Sequence, residues 1–152
     1  MKKYIFVLTV ITTIMLLVSC SSKPQPVNRG QLPEIRPRVG LFYAIGISSD
    51  APNASIAFQN AQRTAQQNLA SSVEVEVRRR LERLAREFES QGQYDYASRT
   101  RESYSKVVRQ ISRNMKIFGP YINDINDTYV IAVIDNFDQL FDEAIHKLDE
   151  LS

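Results

Sequence analysis

A single cysteine, Cys20, ends an apolar segment at the start of this chain and divides it into a part that is discarded and a part that folds. Lys2 and Lys3 form a cationic start, residues 4–18 carry no charge, and small Ser19 stands just before Cys20. These are the three parts of a secretory signal. The apolar run is about 15 residues long, short of the ~20 that a membrane-spanning helix needs, so it reads as a cleaved leader over residues 1–19. What remains, residues 20–152, is enough for one domain but not for two sizeable cores. There is no second cysteine, so no intrachain disulfide can form even where the compartment permits one. Stability has to come from packing.

The four residues Leu17-Val18-Ser19-Cys20 resemble the lipobox of bacterial lipoproteins. The resemblance implies cleavage before Cys20 and acylation of that residue on its sulfur and its amino group, which makes Cys20 the expected lipid attachment site. One acyl chain holds a protein to a bilayer only marginally, at about 0.8 kcal/mol per buried methylene. Lipoprotein processing normally supplies three, which implies a lasting anchor. Ser21, directly after the lipid site, fits the outer-membrane sorting preference better than the inner-membrane one.

The net charge of +2 belongs to the leader: without Lys2 and Lys3, 17 basic side chains face 17 acidic ones. That balance hides a segregation. Residues 78–116 hold eleven Lys/Arg against five Asp/Glu, and residues 124–150 hold eight acids against Lys147 alone. Such blocks serve as a solvated helix face laced with ion pairs, as mutual attraction within or between subunits, or as a contact for an outside partner. Arg78, Arg79, Arg80, Arg83 and Arg86, with Tyr94, Tyr96 and Tyr104 nearby, also suit nucleic acid. Export removes that partner and leaves anionic headgroups or the cell wall.

Residues 21–37 contain four of the six prolines and little apolar periodicity, so they read as part of a lipidated tether over residues 20–38. In polyproline II form it would reach roughly 50 Å. Leu32 and Ile35 leave open an irregular arm lying along the domain. The domain itself is expected over residues 39–152. Residues 39–48 read as a buried strand, with Gly46 marking a bulge or a close backbone approach. Residues 49–53 hold helix-start chemistry. Ala54, Ala57, Ala61, Ala65 and Leu69 then form a small-residue helical face suited to lying close on a sheet.

Val73-Glu74-Val75-Glu76-Val77 alternates with strand period, yet Val73, Val77, Leu81, Leu84 and Phe88 also make one helical stripe. The expectation is a strand over residues 72–79 and a helix over 81–90, with the all-helical alternative open. A further amphipathic helix is expected over residues 94–113, burying Ala97, Tyr104, Val107, Val108 and Ile111. Residues 116–122 and 128–134 read as an antiparallel hairpin across an Asn/Asp-rich turn. Asp135 then caps a last helix, Asp138 completing an approximate capping box, with Phe137, Leu140, Phe141, Ala144, Ile145 and Leu148 as its core stripe.

This order of parts, with Tyr43-Ala44-Ile45-Gly46-Ile47-Ser48, the alanine-stepped helix and Tyr129-Val130-Ile131-Ala132-Val133-Ile134-Asp135, resembles the Lpp-twenty family of bacterial lipoproteins over residues 39–135. The resemblance implies an α+β fold, with a small antiparallel sheet packed against a long helix. It also implies oligomer formation, no catalytic residues and no cofactor, and some of the family's members accompany the flagellar outer-membrane apparatus. The residues themselves add a charged helical insertion over 81–113 and a C-terminal amphipathic helix.

Reactive chemistry is sparse. His146 is the lone histidine, and with a lipidated cysteine it cannot assemble an ordinary zinc site or a triad. Asp124, Asn126 and Asp127 read as turn residues, because Tyr129 stands where a calcium loop needs glycine. Asp142 and Glu143 are adjacent on a helix and point apart. The expectation is a lipid-anchored, non-enzymatic outer-membrane protein facing the periplasm. It would have a structural or assembly role in the envelope, acting through contacts with other envelope proteins or with itself. Two alternatives remain: a periplasmic lipoprotein holding a small or peptidoglycan-derived ligand among Phe42, Phe58, Phe118 and Tyr121, and a surface-exposed interaction protein.

Overall fold

The computed structural model describes residues 28–29 and 32–149. The leader, Cys20 and the Pro24–Pro26 part of the tether lie outside the described residues, as does the side chain of Leu148. In chain order the elements are β1 (Asn28–Arg29), β2 (Phe42–Ser48), α1 (Ala54–Ser90), α2 (Tyr94–Glu102), α3 (Tyr104–Ser112), β3 (Lys116–Ile122), β4 (Thr128–Ile134) and α4 (Phe137–Asp149). The fold is α+β. Strands β2, β4 and β3 make an antiparallel sheet in the spatial order β1-β3-β4-β2, and β1 joins the β3 edge in parallel.

The turn between β3 and β4 is built as expected. Asn123 Oδ1 accepts the N–H groups of Ile125 and Asp127 at 3.1 and 2.8 Å, and Asn126 takes φ 64°. Cross-strand pairs run from Phe42 opposite Ile134 to Ser48 opposite Thr128. On the β3 side the register slips by one residue between Phe118 and Tyr121, where Pro120 has no N–H to give to the ladder.

Helix α1 starts where Asn53 Oδ1 accepts the Ile56 N–H at 3.0 Å. Its first half lies directly on β2. A Cβ added at Gly46 would fall 1.8 Å from the Ala61 carbonyl oxygen and 2.5 Å from the Ala65 nitrogen, so helix and strand backbones meet there. The close approach expected of Gly46 and of the alanine face is therefore observed.

The strand expected over residues 72–79 is not formed; that segment continues α1 without a break to Ser90. Val73 and Val77 are fully buried while Val75 is 69% exposed, a pattern no strand face can produce. The two valines extend a stripe of buried residues at every fourth position: Ala57, Ala61, Ala65, Leu69, Val73, Val77, Leu81 and Ala85. A step of four residues advances about 40° round a helix of 3.6 residues per turn, so the stripe winds roughly 280° round the axis. The winding explains why one helix serves two partners. Ala61 and Ala65 meet the sheet, whereas further along Arg78 meets Tyr104 of α3 and Phe88 meets Tyr96 of α2. Burial of Val73 and Val77 outweighs the weak strand preference of valine. Past the last helical residue, Gly92 turns the chain at φ 74°, with the Gln93 N–H on the Phe88 carbonyl at 2.9 Å and the Gly92 N–H on that of Glu89 at 3.0 Å.

The helix expected over residues 94–113 is two helices meeting at Ser103. This serine is buried, and its hydroxyl donates to the Thr100 carbonyl at 2.7 Å, a back-bond that bends helices. Ala97, Val107 and Ile111 are buried as expected, and Tyr104 and Val108 pack partly against the core. At the last helix the expected cap is corrected. Asp135 accepts the N–H of Asn136 and the guanidinium of Arg38, while Asp138 reaches Arg80 instead of closing a capping box. Phe137, Phe141 and Ala144 are buried in the common core with Leu69, Val73, Val130 and Ile134.

Candidate interaction site

The sheet has two faces, and both are apolar. Phe42, Ala44, Gly46 and Ser48 of β2 look to α1; Tyr43, Ile45 and Ile47 look away. Cross-strand partners share a face, so three rows form the outer side: Tyr43–Val133–Lys116, Ile45–Ile131–Phe118 and Ile47–Tyr129–Tyr121. Of these nine residues only Lys116 is charged. Ile131 is 2% exposed, but Tyr43, Ile45, Ile47 and Phe118 keep 36–50% of their surface in solvent. Helix α1 packs on the other side of the sheet.

Part of the outer face is covered by the chain's own arm. Residues 32–38, read from the sequence as tether, run against it, with Leu32 and Ile35 half-buried. Ile35, Arg36 and Leu41 border a groove of about 490 Å³ whose floor is Phe118, Tyr121, Ile131 and Val133. Arg38 Nη2 donates to Asp135 Oδ2 at 2.5 Å, and the Phe137 N–H donates to the Gly40 carbonyl at 2.8 Å, fastening the end of the arm.

A second surface lies along the half of α1 that runs on past the sheet; Val75, Arg79 and Arg83 follow Ala57, Ala61 and Ala65 by 18 residues, five whole turns, and so project from the same side of the helix. The C-terminal half of α1, with Tyr104 of α3, borders an open groove of about 910 Å³ carrying Val75, Arg78, Arg79, Arg83 and Arg86 among Glu74, Glu82 and Glu87. The Arg78 guanidinium stands 5.1 Å from the centre of the Tyr104 ring. Tyr94 and Tyr96 are exposed at the far end of the same helical layer. Several of the charges are committed within the fold. Glu76 takes Arg79 at 2.6 Å and Arg80 at 2.7 Å, and Arg80 also reaches Asp138 at 2.5 Å, which joins the basic block to the acidic one. The Arg79 hydrogen bond, aided by Arg80 and opposed by burial, holds the Glu76 carboxyl down at about 2. Arg101 bridges Glu89 at 2.8 Å and Glu82 at 3.3 Å, and its hydrogen bond lowers the Glu89 pKa. Arg83 and Arg86 form no ion pair among the described residues.

The residues singled out in the sequence are distributed as follows. Cys20 lies outside the described residues. Phe42 and Phe58 pack on the core side of the sheet, whereas Phe118 and Tyr121 sit on the outer side, so the four aromatics do not line one pocket. Phe42 instead packs on Phe137, ring centres 4.4 Å apart. His146, Asp142 and Glu143 are exposed on α4. Among the described residues no three His, Cys, Asp or Glu side chains converge on a metal position, and no helix is long and apolar enough to cross a membrane.

Sequence reasoning missed the outer sheet face as a surface. A signal was present: FYAIGIS and TYVIAVI lack the polar alternation of a strand with one wet side and resemble strands covered on both. In comparisons with known proteins, no family model matches this chain, and no curated protein sequence does.

Proposed function

We propose that this chain is a lipid-anchored, non-enzymatic outer-membrane lipoprotein, acylated at Cys20 and facing the periplasm. It serves the cell envelope as a structural or assembly component through protein–protein contacts. The leader and Leu17-Val18-Ser19-Cys20 support the anchor, and the resemblance to the Lpp-twenty family supports the envelope role. The observation that carries the contact reading is the helical ridge. Tyr104 of α3 and exposed Val75 border an open groove with Arg83 and Arg86, which form no ion pair among the described residues, and α2 adds exposed Tyr94 and Tyr96. Tyrosine and arginine are the residue types most enriched where protein interfaces hold their energy.

Photo-cross-linking in intact cells tests it, with the reactive side chain placed at Val75 or Arg83. A discrete adduct with an envelope protein or a second copy is expected from these positions and not from Gln59 on the opposite end of α1. Monomer alone from every position, with nothing co-purifying, would count decisively against a contact role.

A further inference from the structure

We infer that the outer face of the sheet rests on the lipid surface, so that the anchored domain lies on its sheet and turns the back of the first half of α1 away from the membrane. This inference depends on acylation at Cys20 and adds to it the side on which the domain lies.

Chain length and its point of attachment carry the argument. Eight residue steps separate Cys20 from Asn28, and eight fully extended residues span at most about 28 Å. Asn28 is already part of the sheet, opposite Tyr121, whose row also holds Tyr129 and Ile47. The leash therefore ends beside the outer face and is shorter than α1, whose 37 residues make about 55 Å. A face held this near the bilayer meets it at high effective concentration, so a weak attraction suffices.

The face suits lipid in its chemistry and its size. Tyr43, Tyr121 and Tyr129 are the amphipathic ring type that gathers at membrane–water boundaries, and Ile45, Ile47 and Phe118 offer apolar tips beside them. Around this face Arg36, Arg38 and Lys116 outnumber Glu34 and Asp135, and the first two arginines pair with these acids at 3.7 and 2.5 Å. Lys116 is left over for an anionic headgroup. The four exposed side chains offer on the order of 350 Å² in all, taking about 200 Å² for each large side chain. That is well under the ~800 Å² that each partner buries in a stable protein–protein interface. A self-sufficient protein dimer on this face is undersized, whereas a contact already tethered by acyl chains is not.

The test uses the full-length acylated protein in phosphatidylethanolamine–phosphatidylglycerol vesicles, purified by flotation. With Cys20 acylated, an introduced cysteine is the only free thiol. Ile47→Cys and Phe118→Cys place a solvent-sensitive fluorophore on the outer face, and Gln59→Cys places it on the back of α1, about 160° round the helix from the sheet-facing Ala61. All three positions are exposed, so the fold is retained, which circular dichroism checks. Lipid-borne nitroxides are expected to quench the Ile47 and Phe118 probes several-fold more than the Gln59 probe. Equal quenching at the three positions in protein that floats would overturn the inference while leaving the anchor intact. Outer-face probes shielded from water but untouched by the lipid nitroxides, with cross-links to a second copy, would overturn it in favour of a protein contact. Protein that fails to float would remove the anchor and this inference together.

Discussion

Replacing Gly46 by alanine is a severe test of how α1 sits on the sheet. The added methyl would meet three backbone atoms: the Ala61 carbonyl oxygen at 1.8 Å, the Ala65 nitrogen at 2.5 Å and the Ala61 carbonyl carbon at 2.8 Å. None of these can swing aside as a side chain would. An ordinary contact needs roughly 3.5–4.0 Å, so the helix has to lift by more than an ångström, and a gap of 0.5–1 Å already forfeits a quarter to a half of each dispersion contact. Ala57, Ala61 and Ala65 would all lose part of their packing. Overpacked substitutions cost about 1–3 kcal/mol, and this one belongs at or above about 3 kcal/mol because both sides of the clash are main chain. Such a loss would lower Tm by about 10 °C in a domain of this size. Urea unfolding followed by circular dichroism measures it. Gly92→Ala is the control: nothing lies within 4 Å of its Cβ position, and only φ 74° opposes a side chain, a penalty of about 1 kcal/mol. Because the clash is with backbone, Ala61→Gly cannot rescue Gly46→Ala. A Gly46→Ala loss below that of Gly92→Ala, or full rescue by Ala61→Gly, would refute the close packing of α1 on β2.

Three further outcomes follow from the same geometry. Val73→Ala should lose about 2 kcal/mol in urea unfolding, while Val75→Ala should be neutral or stabilising by a few tenths, since alanine is the better helix former at an exposed site; equal losses would restore a strand over residues 72–79. Glu76→Gln should cost about 2 kcal/mol at neutral pH, allowing for the exposure of Arg79. Because the folded pKa of Glu76 is about 2 against an ordinary 4.5, its contribution is complete above pH 4.5 and is lost as pH falls toward 2. Denaturation midpoints of the two proteins should therefore converge on acidification; a gap that stays constant down to pH 2 would show that the carboxylate charge is not what the variant lost. Ser103→Ala should leave two helices with a smaller bend and change stability by about 1 kcal/mol at most, as a single neutral hydrogen bond is lost; backbone chemical shifts across residues 99–106 report it.

How far the sequence speaks for the structure depends on whether one local rule acts alone. Gly46 and the alanine steps were legible because close backbone contact leaves a mark that no other arrangement explains. The hairpin was legible from its Asn/Asp turn, and the last helix from the spacing of Phe137, Phe141 and Ala144. Val73 to Val77 was misleading because valines four apart satisfy both a strand and a helix, and only the buried stripe running in from Ala57 decides between them. Ser103 gave no warning, since the bend comes from a single hydroxyl turning back on Thr100. Asp135 and Asp138 were drawn away from capping by Arg38 and Arg80, partners distant in sequence. The outer face was hidden in plain view: two strands apolar on both sides call for a second cover, and the arm at residues 32–41 supplies only part of it. The candidate ridge was visible as charge but not as geometry, because its groove exists only where α3 brings Tyr104 beside Arg78.

The most direct measurement is metabolic labelling with palmitate of bacteria producing either the wild-type chain or Cys20→Ala, followed by membrane fractionation. Label in the wild-type polypeptide, sedimenting with the outer membrane, and neither label nor sedimentation in the variant would bear out an anchored contact protein. An unlabelled wild-type chain that partitions as its variant does would contradict it.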